Sequence, residues 1–329
     1  MGIDEAELRA RMRELVTSGG LLTDAAGRAH RYLAEADDRP VAPTAAAVAA
    51  LERFREPLPD TVGDAGEILA LLDDVGSPGT VAQTGARFFG LVNGGVVPAA
   101  HAARVLADAW DQNAAVGAVS PTNAVIEETC QAWLRDLFGL PEQTVAGFVS
   151  GTSLAIVCGL AAARWRLCER AGYDVNARGL AGAPQLRIVA GRHAHSTVLK
   201  AVALLGFGTD NIEWADVDDQ GRIDPATLPD LDDRTIVILQ AGNVNSGAFD
   251  PIRACTDRAR RAGAWVHIDG AFGLWAAACG SLAHLTDGHE LADSWSVDGH
   301  KTLNTPYDCG ISLCADPEAM VAALQNSAP

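Results

Sequence analysis

The feature that most constrains the fold is a regular alternation of short apolar segments with helical segments between about residues 144 and 315. Most of the apolar segments are apolar at consecutive positions, which is typical of strands buried on both faces. The predicted strands are "VAGFVS" (145–150), "LRIVAG" (186–191), "RTIVILQAG" (234–242), "AWVHIDGAF" (264–272), "SWSVDG" (294–299) and "GISLCA" (310–315). This alternation predicts an α/β fold with a mostly parallel sheet covered by helices.

The predicted helices lie between these strands. One covers residues 153–171, another begins at Ser196, and "DPIRACTDRARRAG" (250–263) forms a third. In that third helix Asp250 and Pro251 are suited to the N-cap and first helical positions, and Gly263 is suited to the position after the end. Upstream, residues 121–138 carry apolar side chains at a spacing of three to four, which also predicts a helix.

The N-terminal part of the chain has a different character. It is helix-periodic but is interrupted by prolines and by "GSPGT" (76–80), which break helices. We therefore predict an N-terminal helical or interface segment at residues 1–100 and a large domain at residues 101–329.

The charge of the chain excludes some classes of partner. Its formal net charge is −17, whereas nucleic acids and anionic membrane surfaces are bound by basic surfaces. We therefore predict no nucleic-acid partner and no membrane partner. The N-terminal segment "MGIDEAELRARMREL" is charged and has no apolar core of a signal peptide, so we also predict a cytoplasmic location. The seven cysteines form no C-x-x-C pair, so we interpret them as small buried apolar residues and not as a disulfide framework or zinc site.

Polar residues follow almost every predicted strand. In parallel sheets ligands bind at the carboxyl ends of the strands, so these residues are candidates for a site. They are Ser150, Gly151, Thr152, Ser153, His193, His195, Asn243, Asn245, Asp269, His300 and Lys301.

The segment "SGTS" (150–153) lies between a strand and a long helix. Free backbone N–H groups and the helix dipole at such a junction favour an anion, although a Ser/Thr helix cap without a ligand explains the same residues. Neither a G-x-x-x-x-G-K nor a G-x-G-x-x-G motif is present, which disfavours ATP and dinucleotides.

The histidines leave several interpretations open. His193 and His195 could bind a metal together with His267 and Asp269, as in a metal-dependent hydrolase. Alternatively, one imidazole could stack on a flat cofactor, or both could be ordinary surface histidines.

Asp269 and Lys301 are the two remaining candidates. A buried aspartate is costly unless it is paired, so Lys301 could be a simple salt-bridge partner of Asp269. A desolvated lysine is also the nucleophile that forms a Schiff base. An anion site, a flat imidazole, a buried carboxylate and a lysine at strand ends together fit pyridoxal 5′-phosphate (PLP).

The same segments carry a family resemblance. The series "SPTNAVIEETCQAWLRDLFGLP", "FVSGTSLAIVCGLAAAR", "HAHSTVLKA", "NSGAFDPI", "HIDGAFG" and "DSWSVDGHK" resembles the group II PLP-dependent amino-acid decarboxylases, which include the glutamate and aromatic amino-acid decarboxylases. The resemblance covers about residues 80–329. It implies the aspartate-aminotransferase type of fold (PLP fold type I), with a mostly parallel mixed sheet covered by helices, and a homodimer.

The resemblance also implies roles for individual residues. Lys301 matches the Schiff-base lysine, Asp269 the carboxylate that pairs with the protonated pyridine nitrogen, and His195 the ring stacked on the cofactor. We therefore predict Lys301, Asp269 and His195 as catalytic. The predicted cofactor-binding residues are Gly151, Thr152, Ser153, His195, Asn243, Asp269, Ala271, His300 and Lys301.

The chain departs from the family pattern at several positions. "SGTSLA" replaces a double glycine followed by an acidic residue and Asn, "GHKTL" replaces the commoner Pro-His-Lys, and Asp298 stands where better-known members carry an Asn near the phosphate. Members also continue into a mobile catalytic loop and a small C-terminal domain. We expect both to be absent from this chain, which would make it a fragment or a short form.

The predicted function is removal of the α-carboxylate of an L-amino acid through a Lys301 Schiff base. We expect an aromatic or apolar substrate, lined by Phe88, Phe89 and Asn93, and no metal. The alternatives are other PLP chemistry at Cα (an aldehyde synthase, aminotransferase or lyase), a catalytically impaired short form, and a metal-dependent hydrolase.

Overall fold

The structure is a computed structural model that describes residues 5–60 and 63–325. The chain divides into two compact units, Met1–Gly90 and Leu91–Pro329. Across the described residues, no helix is long and apolar enough to cross a lipid bilayer.

The first unit is helical. Its helices are α1 (Glu5–Ser18), α2 (Gly20–Ala34), α3 (Ala45–Ala50), α4 (Ala65–Leu71) and the single turn α5 (Ser77–Gly79), with a 3₁₀ turn at Leu51–Phe54 and a π turn at Leu72–Gly76. Arg28 of α2 forms ion pairs with Asp24 at 3.0 Å and with Asp73 at 3.1 Å. The first pair lies within α2, and the second connects α2 to the π turn that follows α4.

The second unit contains seven strands and seven helices among its described residues. The strands are β1 (Val145–Val149), β2 (Arg187–Gly191), β3 (Ile212–Ala215), β4 (Thr235–Gln240), β5 (Trp265–Asp269), β6 (Ser294–Asp298) and β7 (Gly310–Cys314). The helices are α6 (Pro98–Trp110), α7 (Pro121–Phe138), α8 (Thr152–Arg170), α9 (Val175–Arg178), α10 (Ser196–Leu204), α11 (Ile252–Arg261) and α12 (Pro317–Leu324). Short 3₁₀ turns occupy Thr209–Asn211, Pro225–Thr227, Gly273–Ala278, Ala283–Thr286 and His289–Leu291.

All seven strands form one mixed sheet in the order β1-β7-β6-β5-β4-β2-β3. Strands β6, β5, β4, β2 and β3 are mutually parallel, and β7 runs antiparallel to both β1 and β6. Six strands therefore end at the same edge. The predicted mostly parallel mixed sheet is confirmed.

Buried apolar residues lie on both faces of the sheet. On one face, residues of α7 and α11 such as Phe138 and Ile252 pack with Val237 and Ile268. On the other face, residues of α8, α10 and α12 pack with side chains that include Trp265. Burial on both faces explains the unbroken apolar runs in the sequence.

Two local predictions about the chain were wrong. Asp250 does not cap α11, because its carboxylate accepts hydrogen bonds from the backbone N–H groups of Ile223 at 2.8 Å and Gln240 at 2.6 Å. The N-cap is Pro251. The cysteines also differ from one another: Cys158, Cys168, Cys255 and Cys314 are buried as predicted, whereas Cys130 and Cys309 are half-buried and Cys279 is exposed.

Candidate active site

A cavity of about 480 Å³ opens at the sheet edge where the parallel strands end. The turns after β1, β2, β4, β5 and β6 all contribute to it, as expected for a parallel sheet. Its lining includes Ser150, Gly151, Thr152, Ser153, His195, Gln240, Asp269, Ala271, Asp298, His300 and Lys301.

Asp269, the last residue of β5, is a buried carboxylate with few partners. It is 4% exposed, and among the described residues its carboxylate accepts a hydrogen bond from the backbone N–H of Ala271 at 3.3 Å. Burial raises the pKa of Asp269, while that N–H and the charges of His195 and Lys301 oppose the rise. A buried carboxylate in this state is suited to accept a hydrogen bond from a protonated ligand nitrogen.

His195 caps the helix α10 at the edge of the cavity. Its Nδ1 accepts a hydrogen bond from the backbone N–H of Thr197 at 3.3 Å and lies 2.8 Å from the Thr197 hydroxyl. Because Nδ1 faces its own helix, the orientation of the ring is fixed by the backbone. The opposite edge of the imidazole is left for the cavity.

Lys301 pairs with Asp298 and not with Asp269. Its Nζ lies 3.0 Å from Asp298 Oδ2, three residues earlier in the chain. Asp298 Oδ1 accepts a hydrogen bond from the backbone N–H of Thr152 at 2.7 Å and lies 3.5 Å from His300 Nε2. Asp298 thus connects Lys301 to Thr152, the first residue of α8. The interpretation of Lys301 as the salt-bridge partner of Asp269 was therefore wrong.

His300 is held on both sides. Its Nδ1 accepts a hydrogen bond from the backbone N–H of Cys309 at 3.0 Å, and its ring stacks on Tyr307 with 4.2 Å between ring centroids. Burial lowers the pKa of His300, although the nearby charge of Asp298 opposes this. The Tyr307 hydroxyl in turn donates to Asn93 Oδ1 at 2.9 Å.

The segment 93–97 lies directly against the turn that carries Lys301. The N–H of Gly94 donates to the carbonyl of His300 at 3.3 Å, and the N–H of Gly95 donates to Asn304 Oδ1 at 2.9 Å. A Cβ on Gly94 would lie 2.0 Å from the carbonyl oxygen of Lys301. Only glycine permits this approach.

The structure does not bring every predicted site residue to the cavity. Asn243 is buried, but its side chain accepts from the backbone N–H groups of Asn245 and Ser246, and it does not line the cavity. Phe88 and Phe89 belong to the first unit, where Phe89 is 92% exposed. Asn93 does line the cavity.

The residues of the metal-hydrolase alternative are not assembled into a metal site. His193 is exposed, while His267 is fully buried with its Nδ1 2.8 Å from Ser294 Oγ. Burial lowers the pKa of His267 to about 3. Within residues 5–60 and 63–325, no three His, Cys, Asp or Glu side chains are grouped to hold a metal ion.

Several lining residues were missed in the sequence. Gln240 ends the buried strand β4, so the rule applied to other strand ends could have found it. Tyr307 and Asp308 lie in the segment between Lys301 and the next predicted strand, and not directly at a strand end. Leu91 and Val92 line the cavity with φ angles of 59° and 56°, and they lie between the predicted lining residues Phe89 and Asn93.

PLP fits most of this arrangement. The poorly satisfied Asp269 can hold the pyridine nitrogen, Ala271 leaves room beside the ring, and the buried Thr152 hydroxyl, which has no hydrogen-bond partner among the described residues, can donate to a phosphate. A lysine, a buried carboxylate and an imidazole at the strand ends of such a sheet define the class of fold type I PLP enzymes.

Comparison with known proteins gives the family. The model of the pyridoxal-dependent decarboxylase conserved domain matches residues 53–328, and the chain belongs to this family. Tryptophan decarboxylase 1 of Oryza sativa is 31% identical over 271 residues, which cover 76% of this chain and 52% of that protein. Cysteine sulfinic acid decarboxylase of Mus musculus is 28% identical over 253 residues, covering 73% of this chain and 50% of that protein.

Solved structures agree. The crystal structure of mouse CSAD has a TM-score of 0.85 at 25% identity, covering 95% of this chain and 67% of that chain. Oryza sativa TDC with PLP and tryptamine has a TM-score of 0.81 at 25% identity, covering 100% and 68%. The predicted fold, family and family cofactor are confirmed. The chain spans about half the length of the curated relatives it matches.

Proposed function

We propose that this chain binds PLP through Lys301 and removes the α-carboxylate of an L-amino acid. The observation that carries the proposal is the convergence of Lys301, Asp269 and His195 on one cavity in a chain of the decarboxylase family. In the reaction the bond between Cα and the carboxylate breaks, CO2 leaves, and a proton takes its place on Cα.

Each of the three residues has a distinct part. Lys301 Nζ would supply the amine that holds the cofactor, Asp269 would accept a hydrogen bond from its protonated ring nitrogen, and the imidazole of His195 would pack against its ring. When bound, PLP supplies the electron sink for the bond that breaks at Cα. Alignment of that bond with the ring decides which bond breaks, so the positioning by His195 affects the outcome of the reaction.

The proposed substrate has an aromatic or apolar side chain. The apolar side chains of Leu91, Val92, Leu154, Val244, Ala271 and Phe272 line the cavity, and the lining contains no arginine among the described residues. An acidic side chain would find no guanidinium partner there. The likeness to a tryptophan decarboxylase agrees with this choice, whereas the comparable likeness to a cysteine sulfinic acid decarboxylase favours an acidic substrate. The proposal therefore rests on the lining of the cavity. Contributions of Phe88, Phe89 and Asn93 to substrate binding stay predictions.

A homodimer is part of the proposal. Residues 102–119, which include most of α6, are exposed throughout, and they present Val105, Leu106 and Trp110 to solvent. The neighbouring helix α7 exposes Ile126 and Trp133. Exposed apolar surface of this extent is typical of an interface. Light scattering coupled to size-exclusion chromatography is expected to give twice the monomer mass, and a purely monomeric protein would contradict this part.

A cytoplasmic location is also proposed. All seven cysteines are free thiols, which suits a reducing compartment. Fractionation of cells that express the native protein would test this location.

The decisive experiment uses the fact that the chain contains only two lysines, Lys200 and Lys301. Borohydride reduction with PLP, followed by peptide mass spectrometry, is expected to place the pyridoxyl group on Lys301. The exposed Lys200 in α10 is the matched control: Lys200→Arg should keep the adduct and Lys301→Arg should abolish it. An adduct on Lys200 alone, or none, would refute the assignment.

Other chemistry at Cα is the nearest alternative, namely aldehyde synthesis, transamination or another lyase reaction. Products from a panel of amino acids, identified by mass spectrometry, separate these reactions: an amine and CO2 indicate decarboxylation, whereas an aldehyde or a keto acid indicates the alternatives. PLP binding without turnover of any amino acid would indicate a catalytically impaired form.

A further inference from the structure

Asp298 is the most buried charged group in the cavity lining. It is 2% exposed, and both carboxylate oxygens have partners. Oδ1 accepts a hydrogen bond from the backbone N–H of Thr152 at 2.7 Å, and Oδ2 lies 3.0 Å from Lys301 Nζ. The side chain therefore places a negative charge between the start of α8 and the lysine.

The start of α8 has the properties of an anion site. Helix α8 is 19 residues long and begins at Thr152, so its first N–H groups and its dipole favour a negative charge. Thr152 is only 6% exposed, lines the cavity, and has a buried hydroxyl that finds no hydrogen-bond partner within the described residues. Asp298 accepts the hydrogen bond from the backbone N–H of Thr152, while the Thr152 hydroxyl has no partner among the described residues.

We propose that Asp298 fills part of the anion site with the protein's own charge and thereby lowers the contribution of the cofactor's phosphate to binding. This inference rests on the proposed function, because it assumes that PLP enters the cavity. It makes Asp298 a residue that sets the preference between phosphorylated and unphosphorylated forms of the cofactor.

The physical reason is the excess of negative charge that a bound phosphate would create at one end of the cavity. The ammonium of Lys301 is held by Asp298, and the described lining offers no arginine to neutralise a phosphate. A phosphate near Thr152 would meet a carboxylate that water does not screen, since Asp298 is almost fully buried. Like charges at short range in a buried site repel strongly.

The test compares two aldehydes that differ only in the phosphate. The dissociation constants of PLP and pyridoxal are measured for the full chain by absorbance titration, and the ratio Kd(pyridoxal)/Kd(PLP) reports the contribution of the phosphate. Replacing Asp298 by Asn removes the charge and keeps the shape. We expect Asp298→Asn to raise the ratio by at least about tenfold, which corresponds to about 1.4 kcal/mol.

Asp293 offers a matched control just before the opposite end of the same strand. Its carboxylate also accepts a backbone N–H, that of Val266 at 2.7 Å, but it does not line the cavity. Asp293→Asn should leave the ratio at the wild-type value. Asp298→Ser is a second neutral variant, in case the Asn variant does not fold as judged by circular dichroism.

The outcomes separate this inference from the proposed function. A ratio that rises in both neutral Asp298 variants and not in Asp293→Asn supports the inference. A ratio that is unchanged or lower in folded Asp298 variants overturns it, even if PLP still forms the Lys301 adduct. Absence of binding by either aldehyde to the wild-type chain would overturn both the proposed function and this inference.

Discussion

Replacing Gly94 by Ala is expected to release the Lys301 turn from its support. A Cβ at position 94 would lie 2.0 Å from the carbonyl oxygen of Lys301, 2.9 Å from that of His300 and 2.8 Å from Asn304 Oδ1. Two of these atoms belong to the backbone and cannot rotate away. Gly95 is the matched control, because a Cβ at position 95 would have no neighbour within 4 Å.

The magnitude follows from the contacts that must be given up. Overpacking a rigid site costs about 1–3 kcal/mol. If the segment moves away instead, the hydrogen bonds from Gly94 to His300 and from Gly95 to Asn304 are lost, each worth about 1 kcal/mol. Either route costs about 2 kcal/mol. The turn should therefore open roughly thirtyfold more often, since about 1.4 kcal/mol corresponds to a factor of ten.

Cleavage by a lysine-specific endoproteinase measures this opening directly. The chain offers the protease only two sites, after Lys200 and after Lys301, and cleavage of a native protein tracks the population of the open form when reclosing is fast. Gly94→Ala should speed cleavage after Lys301 roughly thirtyfold relative to cleavage after Lys200, and Gly95→Ala should not. Equal rates at Lys301 in the two variants would refute the role of Gly94.

Three further perturbations follow from other parts of the second unit. Burial holds the pKa of His267 at about 3, against an ordinary value of 6.5, so between these values only the unfolded chain takes up this proton. Between pH 7 and pH 5 the unfolding free energy of the wild type, measured in urea, should therefore fall by roughly 2 kcal/mol more than that of His267→Gln. Equal losses in the two proteins would contradict the lowered pKa. A Cβ on Gly310 would lie 2.3 Å from the Cα of Gly151, so Gly310→Ala should displace the 150–153 turn and lower the unfolding free energy by about 1–3 kcal/mol. A variant that unfolds at the same urea concentration as the wild type would contradict this prediction. Cys279 is exposed, and a hydrogen bond from Ser281 lowers its pKa. A thiol reagent at neutral pH should therefore modify Cys279 before the other cysteines. If mass spectrometry finds another cysteine modified first, the prediction is wrong.

The strands were predictable because their burial leaves a direct trace in the sequence. The segment "TIVILQ" of β4 is buried at every position, and an unbroken apolar run of this length has few other uses in a soluble α/β fold. The missed strand β3 has four residues, includes the charged Glu213, and pairs only with β2 at the edge of the sheet. Short edge strands leave a weaker pattern, so periodicity alone does not reveal them.

The site was predictable as far as it depends on strand ends. Lys301 and His195 follow predicted strands, Asp269 lies towards the end of one, and the sheet brings the three to one cavity. Two contacts were not predictable in the same way: the ion pair between Lys301 and Asp298, and the hydrogen bond from the backbone N–H of Ile223 to the Asp250 carboxylate. Those contacts depend on which backbone N–H groups or charges lie nearby after folding, and a sequence pattern does not encode such distances.

Neighbouring strands β5 and β6 end in two buried aspartates whose surroundings give them different chemistry. Among the described residues the carboxylate of Asp269 accepts a single hydrogen bond, at 3.3 Å, and burial raises its pKa, so it is receptive to a proton or a cationic ligand atom. Asp298 has an ammonium at 3.0 Å and a backbone N–H at 2.7 Å, so its charge is already used by the protein. Environment and not residue type therefore separates the two roles, as with paired carboxylates in other active sites. A cofactor phosphate would compete with Asp298 for the N–H of Thr152, whereas a protonated ring nitrogen would give Asp269 the partner it lacks. Asp298→Asn should therefore strengthen PLP binding, and Asp269→Asn should weaken it.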